Sequence, residues 1–163
     1  MTIHPETKLG PVHLCVADLG KLSSYYTTLG LYLHHRQGKE AVLGDGNIGH
    51  IHLHEDSIAS TEAFYRDALG FDLIAQYVPS ATFLAAGGYH HHIGANTWAG
   101  EGIPAAPADS WGLSHSTIEV PGTQALGAVR AQVEAAGFSV LEGEDGYFVG
   151  DPAGNGILLR QAG

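Results

Sequence analysis

Apolar and polar residues alternate strictly through Gly49–His54, with Ile51 and Leu53 on one side and His50, His52 and His54 on the other. A β-strand sends successive side chains to opposite faces, so this stretch predicts a strand with one face for a core and three imidazoles on the other. The same alternation marks Pro11–Val16 and Ser114–Val120. Each of these strands leads into a segment of helical periodicity closed by a glycine. After the first, Asp18 is a candidate N-cap, Leu22, Tyr25, Tyr26 and Leu29 form an apolar stripe, and Gly30 stops the helix. After the second, Asp56 or Ser57 can cap a helix over Thr61–Leu69 with Ala63 and Phe64 facing inward, and Gly70 ends it. After the third, Thr123 can cap a helix striped by Leu126, Val129, Val133 and Ala136 and ended by Gly137.

Short strands follow each helix. They are Leu31–Leu33 and Ala41–Leu43 in the first copy, then Phe71–Ala75, Thr82–Ala85 and Tyr89–Ile93 in the second. In the third they are Phe138–Leu141, Tyr147–Val149 and Gly156–Arg160. One unit is therefore repeated, complete twice and truncated once. The expected division is an incomplete βαββ module at 1–46, a complete βαβββ module at 47–98, a linker at 99–112 and a second complete module at 113–163. The fold class is α+β: two paired modules make a curved eight-stranded mixed sheet with helices outside, and the partial module is added to it. The linker, rich in Gly, Pro and Ala, is expected to lie over a surface or a site mouth.

Matching positions across the copies puts Pro11, His50 and His115 at the same place in the three leading strands. Val12/Leu14/Val16, Ile51/Leu53 and Ser116/Ile118/Val120 then face the helices, while His13/Cys15, His52/His54 and Thr117/Glu119 face the concave side. His50 and His115 become pseudo-twofold mates pointing into one cavity.

Composition narrows the functional classes. Seven Lys+Arg against 17 Asp+Glu leave a formal charge of −10, and the cations are scattered singly, which excludes a phosphate-binding surface and nucleic acid as a partner. No apolar run approaches the ~20 residues of a membrane span, and residues 1–8 lack the basic and apolar regions of a secretion signal. With the single cysteine, Cys15, this points to a reducing, cytoplasmic setting. Eleven histidines, nearly all in or beside strand-like segments, point to a metal site.

The chain resembles the vicinal oxygen chelate superfamily (glyoxalase I, bleomycin-resistance proteins, extradiol dioxygenases), most of all its catechol 2,3-dioxygenase-like branch with a shortened N-terminal half. The resemblance is carried by Ile48–His54, Phe64–Phe71, Ala85–Trp98 (with His90-His91-His92 at its centre) and the turn Asp151–Gly156. It implies a divalent metal, Fe(II) foremost and Mn or Zn as alternatives, held by two histidines and a glutamate. The positions that match are His50, His115 and Leu158, so leucine stands where the resemblance implies a carboxylate, and Phe148 stands at the place of an active-site tyrosine.

Aligning the last strands of the complete modules sets His91 opposite Leu158, which makes His50, His115 and His91 the expected metal ligands. Alternatively His91 is an acid–base group beside bound dioxygen. His90 and His92 are expected on the opposite face or the rim. Glu119 lies about 13 Å along its strand from His115, too far to share the ion, but it is a candidate substrate contact with His52, His54, Phe148 and Leu158. The resemblance implies an extradiol, ring-cleaving dioxygenase-like protein acting on a catechol-type aromatic, impaired by Leu158. The alternative is a bleomycin-resistance-type protein that binds an aromatic molecule without chemistry. The open sheet edge of a truncated module predicts a homodimer whose N-terminal segment covers part of its partner.

Overall fold

The computed structural model describes residues 1–44, 48–107 and 109–163. The expected boundary between 46 and 47 lies outside them. In chain order the elements are β1 (Lys8–Cys15), α1 (Leu19–Thr28), β2 (Tyr32–Gln37), β3 (Glu40–Gly44), β4 (Ile51–His54), α2 (Ile58–Glu62) continued by a π-helical turn (Ala63–Ala68), β5 (Asp72–Tyr77), β6 (Ala81–Ala85), β7 (Ile93–Asn96), β8 (Gly112–Val120), α3 (Gly122–Ala135), β9 (Val140–Gly143), β10 (Gly146–Gly150) and β11 (Gly156–Gln161).

Two sheets share one topology. The first runs β4-β7-β6-β5 and the second β8-β11-β10-β9, so in each unit the fourth strand lies between the first and the third. β7 runs parallel to β4, and β11 parallel to β8. The expected eight strands thus form two sheets, and the second has a fifth member: β1, from the leading unit, pairs antiparallel with β8. β2 and β3 form a separate hairpin.

Helix α2 packs on β6 and β7, α3 packs on β8, β9 and β11, and α3 meets the π-helical turn, which brings the two halves together. Phe64 and Tyr65 are fully buried, and Phe64 meets Phe138 of the other half edge-on, with ring centroids 4.8 Å apart. Around them Leu69, Leu84, Ile93, Ile118, Val133, Ile157 and Leu159 close one continuous core. Burying a large apolar side chain contributes about 1.5–3 kcal/mol, so this core is the main stabilising contact between the halves. Ile51 and Leu53 face it, as alternation predicts.

Local chemistry departs from expectation at the helices. Asp18 does cap α1, accepting from the Lys21 amide at 2.9 Å, and Ser57 caps α2 through the Ser60 amide. Residue Pro121, not Thr123, stands at the N-cap of α3, without a side-chain bond. The wider π-helical turn brings neighbouring Phe64 and Tyr65 inward together and leaves Ala63 exposed, where regular periodicity pairs Ala63 with Phe64. The fourth strand of the first complete unit starts at Ile93, so Tyr89–His92 form a loop rather than a strand.

Candidate metal centre

Three imidazoles converge at the head of β4. One ring nitrogen from each of His50, His90 and His91 lies within 4.8 Å of the others, the one such cluster of metal-ligating side chains among the described residues. His50 immediately precedes β4, and its neighbours come from the loop that leads into β7. β7 pairs parallel with β4 from Ile93 opposite Ile51, and the Ile51 amide donates to the His92 carbonyl at 2.9 Å, which sets the loop beside His50. The ring centroids of His50 and His91 are 4.6 Å apart, and those of His90 and His91 4.7 Å. Burial and the neighbouring His50 and His90 hold the His91 pKa below its ordinary value, which favours the free-base form that ligates metals. Three convergent, solvent-reachable nitrogens are a donor set that fits a divalent transition metal.

Two of the three expected ligands, His50 and His91, are therefore brought together, and the third member of the cluster is His90. A loop residue escapes the alternation that would have turned it to the far face. His115 lies elsewhere. Because β1 pairs with β8 with His13 opposite His115, the two rings stack at 4.1 Å, and the Phe148 ring meets His115 edge-on at 5.4 Å. Burial, then His13, lowers the His115 pKa. His92 is buried, its Nδ1 accepting from the Ala86 amide at 3.2 Å.

The other expected site residues divide between the halves. His52 continues the imidazole face of β4; its ring lies 5.9 Å from Phe83 and 5.7 Å from the exposed Trp98. Gly94 makes this packing possible, since a Cβ there would stand 2.9 Å from His52 Nδ1. Phe83 also meets His91 at 5.2 Å, so an aromatic wall runs from the three-histidine cluster to Trp98. Both ring nitrogens of His54 are enclosed without a hydrogen-bond partner. In the second half Leu158 is buried beside Thr117 and opposite Phe148. Glu119 is engaged by Arg160, whose Nε donates to it at 3.1 Å across the β8–β11 register.

Beside the cluster, the leading segment Pro5–Leu9 and the loop at Ala86–Tyr89 line an open pocket of about 520 Å³ that reaches Gly49 and His92. The Tyr89 ring forms part of its wall and packs on His90 at 4.1 Å. The chain pattern sets His90 on the far face or the rim and His13 merely on a concave side, and it gives no role to Phe83 or Trp98; only the uninterrupted run His90-His91-His92 carried a signal for the cluster.

Two βαβββ units of one topology, each with its fourth strand between the first and the third, frame this site and define the class of fold. Residues 47–159 match the Glyoxalase/Bleomycin resistance protein/Dioxygenase superfamily profile. This chain belongs to that family. It is 42% identical over 121 residues to a catechol-2,3-dioxygenase of Bacillus subtilis (strain 168), covering 74% of this chain and 42% of that protein, so it spans less than half of the relative's length. Solved structures share the fold at low identity. A glyoxalase family protein from Enterococcus faecalis gives a TM-score of 0.56 at 19% identity, over 71% of this chain and 97% of that one. A lactoylglutathione lyase from Agrobacterium tumefaciens gives 0.54 at 18%, over 71% and 92%.

Proposed function

We propose that this chain is an extradiol-dioxygenase-like protein that holds a divalent metal, Fe(II) foremost, through His50, His90 and His91 and takes a catechol-type aromatic at that ion. The observation that carries the reading is the convergence of those three ring nitrogens within 4.8 Å. The 42% identity to a catechol-2,3-dioxygenase supports the substrate class. An ion held there would supply Lewis acidity to a catechol whose two adjacent oxygens can chelate it. Three neutral imidazoles leave its charge uncompensated, which favours a catecholate over a neutral ligand. Phe83, His52 and Trp98 offer aromatic faces along which the ring can lie. His91, held in its neutral form, supplies a lone pair to the ion.

A second reading has its own support. Buried Leu158 and half-exposed Phe148 make the corresponding surface of the second half apolar, which suits sequestration of an aromatic molecule without turnover.

The test is anaerobic purification with quantified metal, followed by Fe(II), catechol and oxygen while watching for the yellow ring-opened product. The expected result is stoichiometric metal in the wild type, lost in His50→Ala and His91→Ala and retained in His115→Ala. Metal and catechol binding without product moves the assignment to the binding protein. A wild type that takes up no Fe(II), Mn(II) or Zn(II) refutes the metal centre.

A further inference from the structure

The open pocket between the leading segment and the loop before β7 has walls that packing fixes, and none of its lining residues belongs to the three-histidine cluster. The leading segment is pinned at Ile3, whose side chain is buried and whose amide donates to the Gly70 carbonyl at 2.9 Å. The loop turns tightly. The Tyr89 amide donates to the Ala86 carbonyl at 3.2 Å, and Gly87 and Gly88 between them both have positive φ, as a type I′ turn requires. Gly87 lies directly against Pro5, since a Cβ there would collide with the Pro5 carbonyl. A Cβ on Gly88 would meet nothing within 4 Å, so the turn opens toward the pocket at that residue.

The lining has more donors than acceptors. Thr7 is 2% exposed, and its hydroxyl has no hydrogen-bond partner. The amides of Gly87 and Gly88, on the outer side of the turn, find no acceptor among the described residues. His92 Nδ1 accepts from the Ala86 amide, which leaves the ring proton on Nε2. The Tyr89 hydroxyl lies at the Gly49 end, 3.3 Å from where a Gly49 Cβ would stand. Lys8 is the one cation of the lining and Glu6 the one carboxylate, so their formal charges cancel. Leu9, Ile48, Ala86 and the Tyr89 ring supply an apolar wall. Unpartnered donors call for an acceptor, and a charged acceptor makes bonds roughly twice as strong as a neutral one. A single lysine balanced by Glu6 suits a monoanion better than a phosphate dianion, and the apolar wall suits an organic body.

We infer that this pocket binds a small aromatic carboxylate, with Lys8, the Thr7 hydroxyl and the Gly87 and Gly88 amides on the carboxylate and the Tyr89 ring and its apolar neighbours on the aromatic body. The pocket volume of about 520 Å³ is that of a small-molecule site. A neutral aromatic leaves Lys8 without a counter-charge, and a dianion meets Glu6. The site is separate from the metal centre and does not rest on the function proposed above: none of its contacts passes through His50, His90 or His91.

Amide NMR of the full chain titrated with benzoate tests the site, with EDTA present so that no metal can hold the carboxylate. The expected result is a saturable shift of the Gly87 and Gly88 amide signals, which benzamide, the neutral isostere, does not reproduce. The dissociation constant rises about tenfold in Lys8→Gln and several-fold in Thr7→Val, whose remaining spectrum reports its folding. It falls several-fold in Glu6→Gln, because that change removes the one charge that repels the ligand. Signals of Gly87 and Gly88 that do not saturate, or an equal response to benzamide, overturn the assignment. So do displacement of benzoate by an equal concentration of inorganic phosphate, unchanged affinity in Lys8→Gln, or weaker binding in Glu6→Gln.

Discussion

Glu55 offers the sharpest test of how the two halves are joined. It is fully buried just after β4, with Oε1 accepting from Asn155 Nδ2 at 3.2 Å and Oε2 from Thr61 Oγ1 at 3.3 Å. Asp151, from the other half, is buried beside it and accepts from the Tyr65 hydroxyl and from Asn155 Nδ2, each at 2.9 Å. Burial first, then the neighbouring Asp151 carboxylate, pushes the Glu55 pKa from its ordinary 4.5 up to about 9. The folded chain therefore keeps a proton that the unfolded chain has released, and the stability present below pH 4.5 is lost progressively as the pH rises toward 9. At about 1.4 kcal/mol per pH unit, the loss amounts to ~3 kcal/mol by pH 7, a large share of a typical domain's stability. Glu55→Gln keeps the shape and an acceptor oxygen, and its amide can donate to Asp151 in place of the carboxyl proton. We expect the variant to match the wild type near pH 5 and to exceed it by a margin that widens to a few kcal/mol at pH 8. Urea denaturation at each pH, followed by circular dichroism, measures this. Parallel stability curves from pH 5 to pH 8 would refute the reasoning.

Phe64→Ala empties the contact with Phe138 at the centre of the core and is expected to cost about 3–5 kcal/mol, read as a lower urea midpoint at unchanged slope. Gly94→Ala drives a methyl group against His52 and is expected to weaken catechol binding several-fold while the metal content stays constant. Equal loss of both would mean that His52 and the metal ligands move as one.

The two complete units were legible because alternation and helical periodicity are local signals. Gly49–His54 declares its two faces within six residues, and the repeated strand–helix order predicts paired modules before any contact is known, though as one eight-stranded sheet where the structure has two. Exact ends were less legible: β7 starts at Ile93, after the histidine run. That shift matters, because it frees His90 from strand geometry and lets it join His50 and His91. The placement of His115 was not legible at all. It rests on β1 taking the edge of β8 and setting His13 opposite His115, a pairing between segments about a hundred residues apart. The ion pair of Glu119 was hidden for the same reason, since only β11 brings Arg160 beside it.

The amino-acid pattern by itself determined the repeated unit, the apolar faces that become the core, and the imidazole face of β4, since each depends on the direction in which neighbouring side chains leave one backbone. Tertiary structure alone decided which imidazoles meet, that Glu55 shares a buried site with Asp151, and that the leading unit is left with an uncovered hairpin. Those outcomes depend on sheet register and on the packing of one half against the other, and contacts between distant segments leave no periodic trace in the chain.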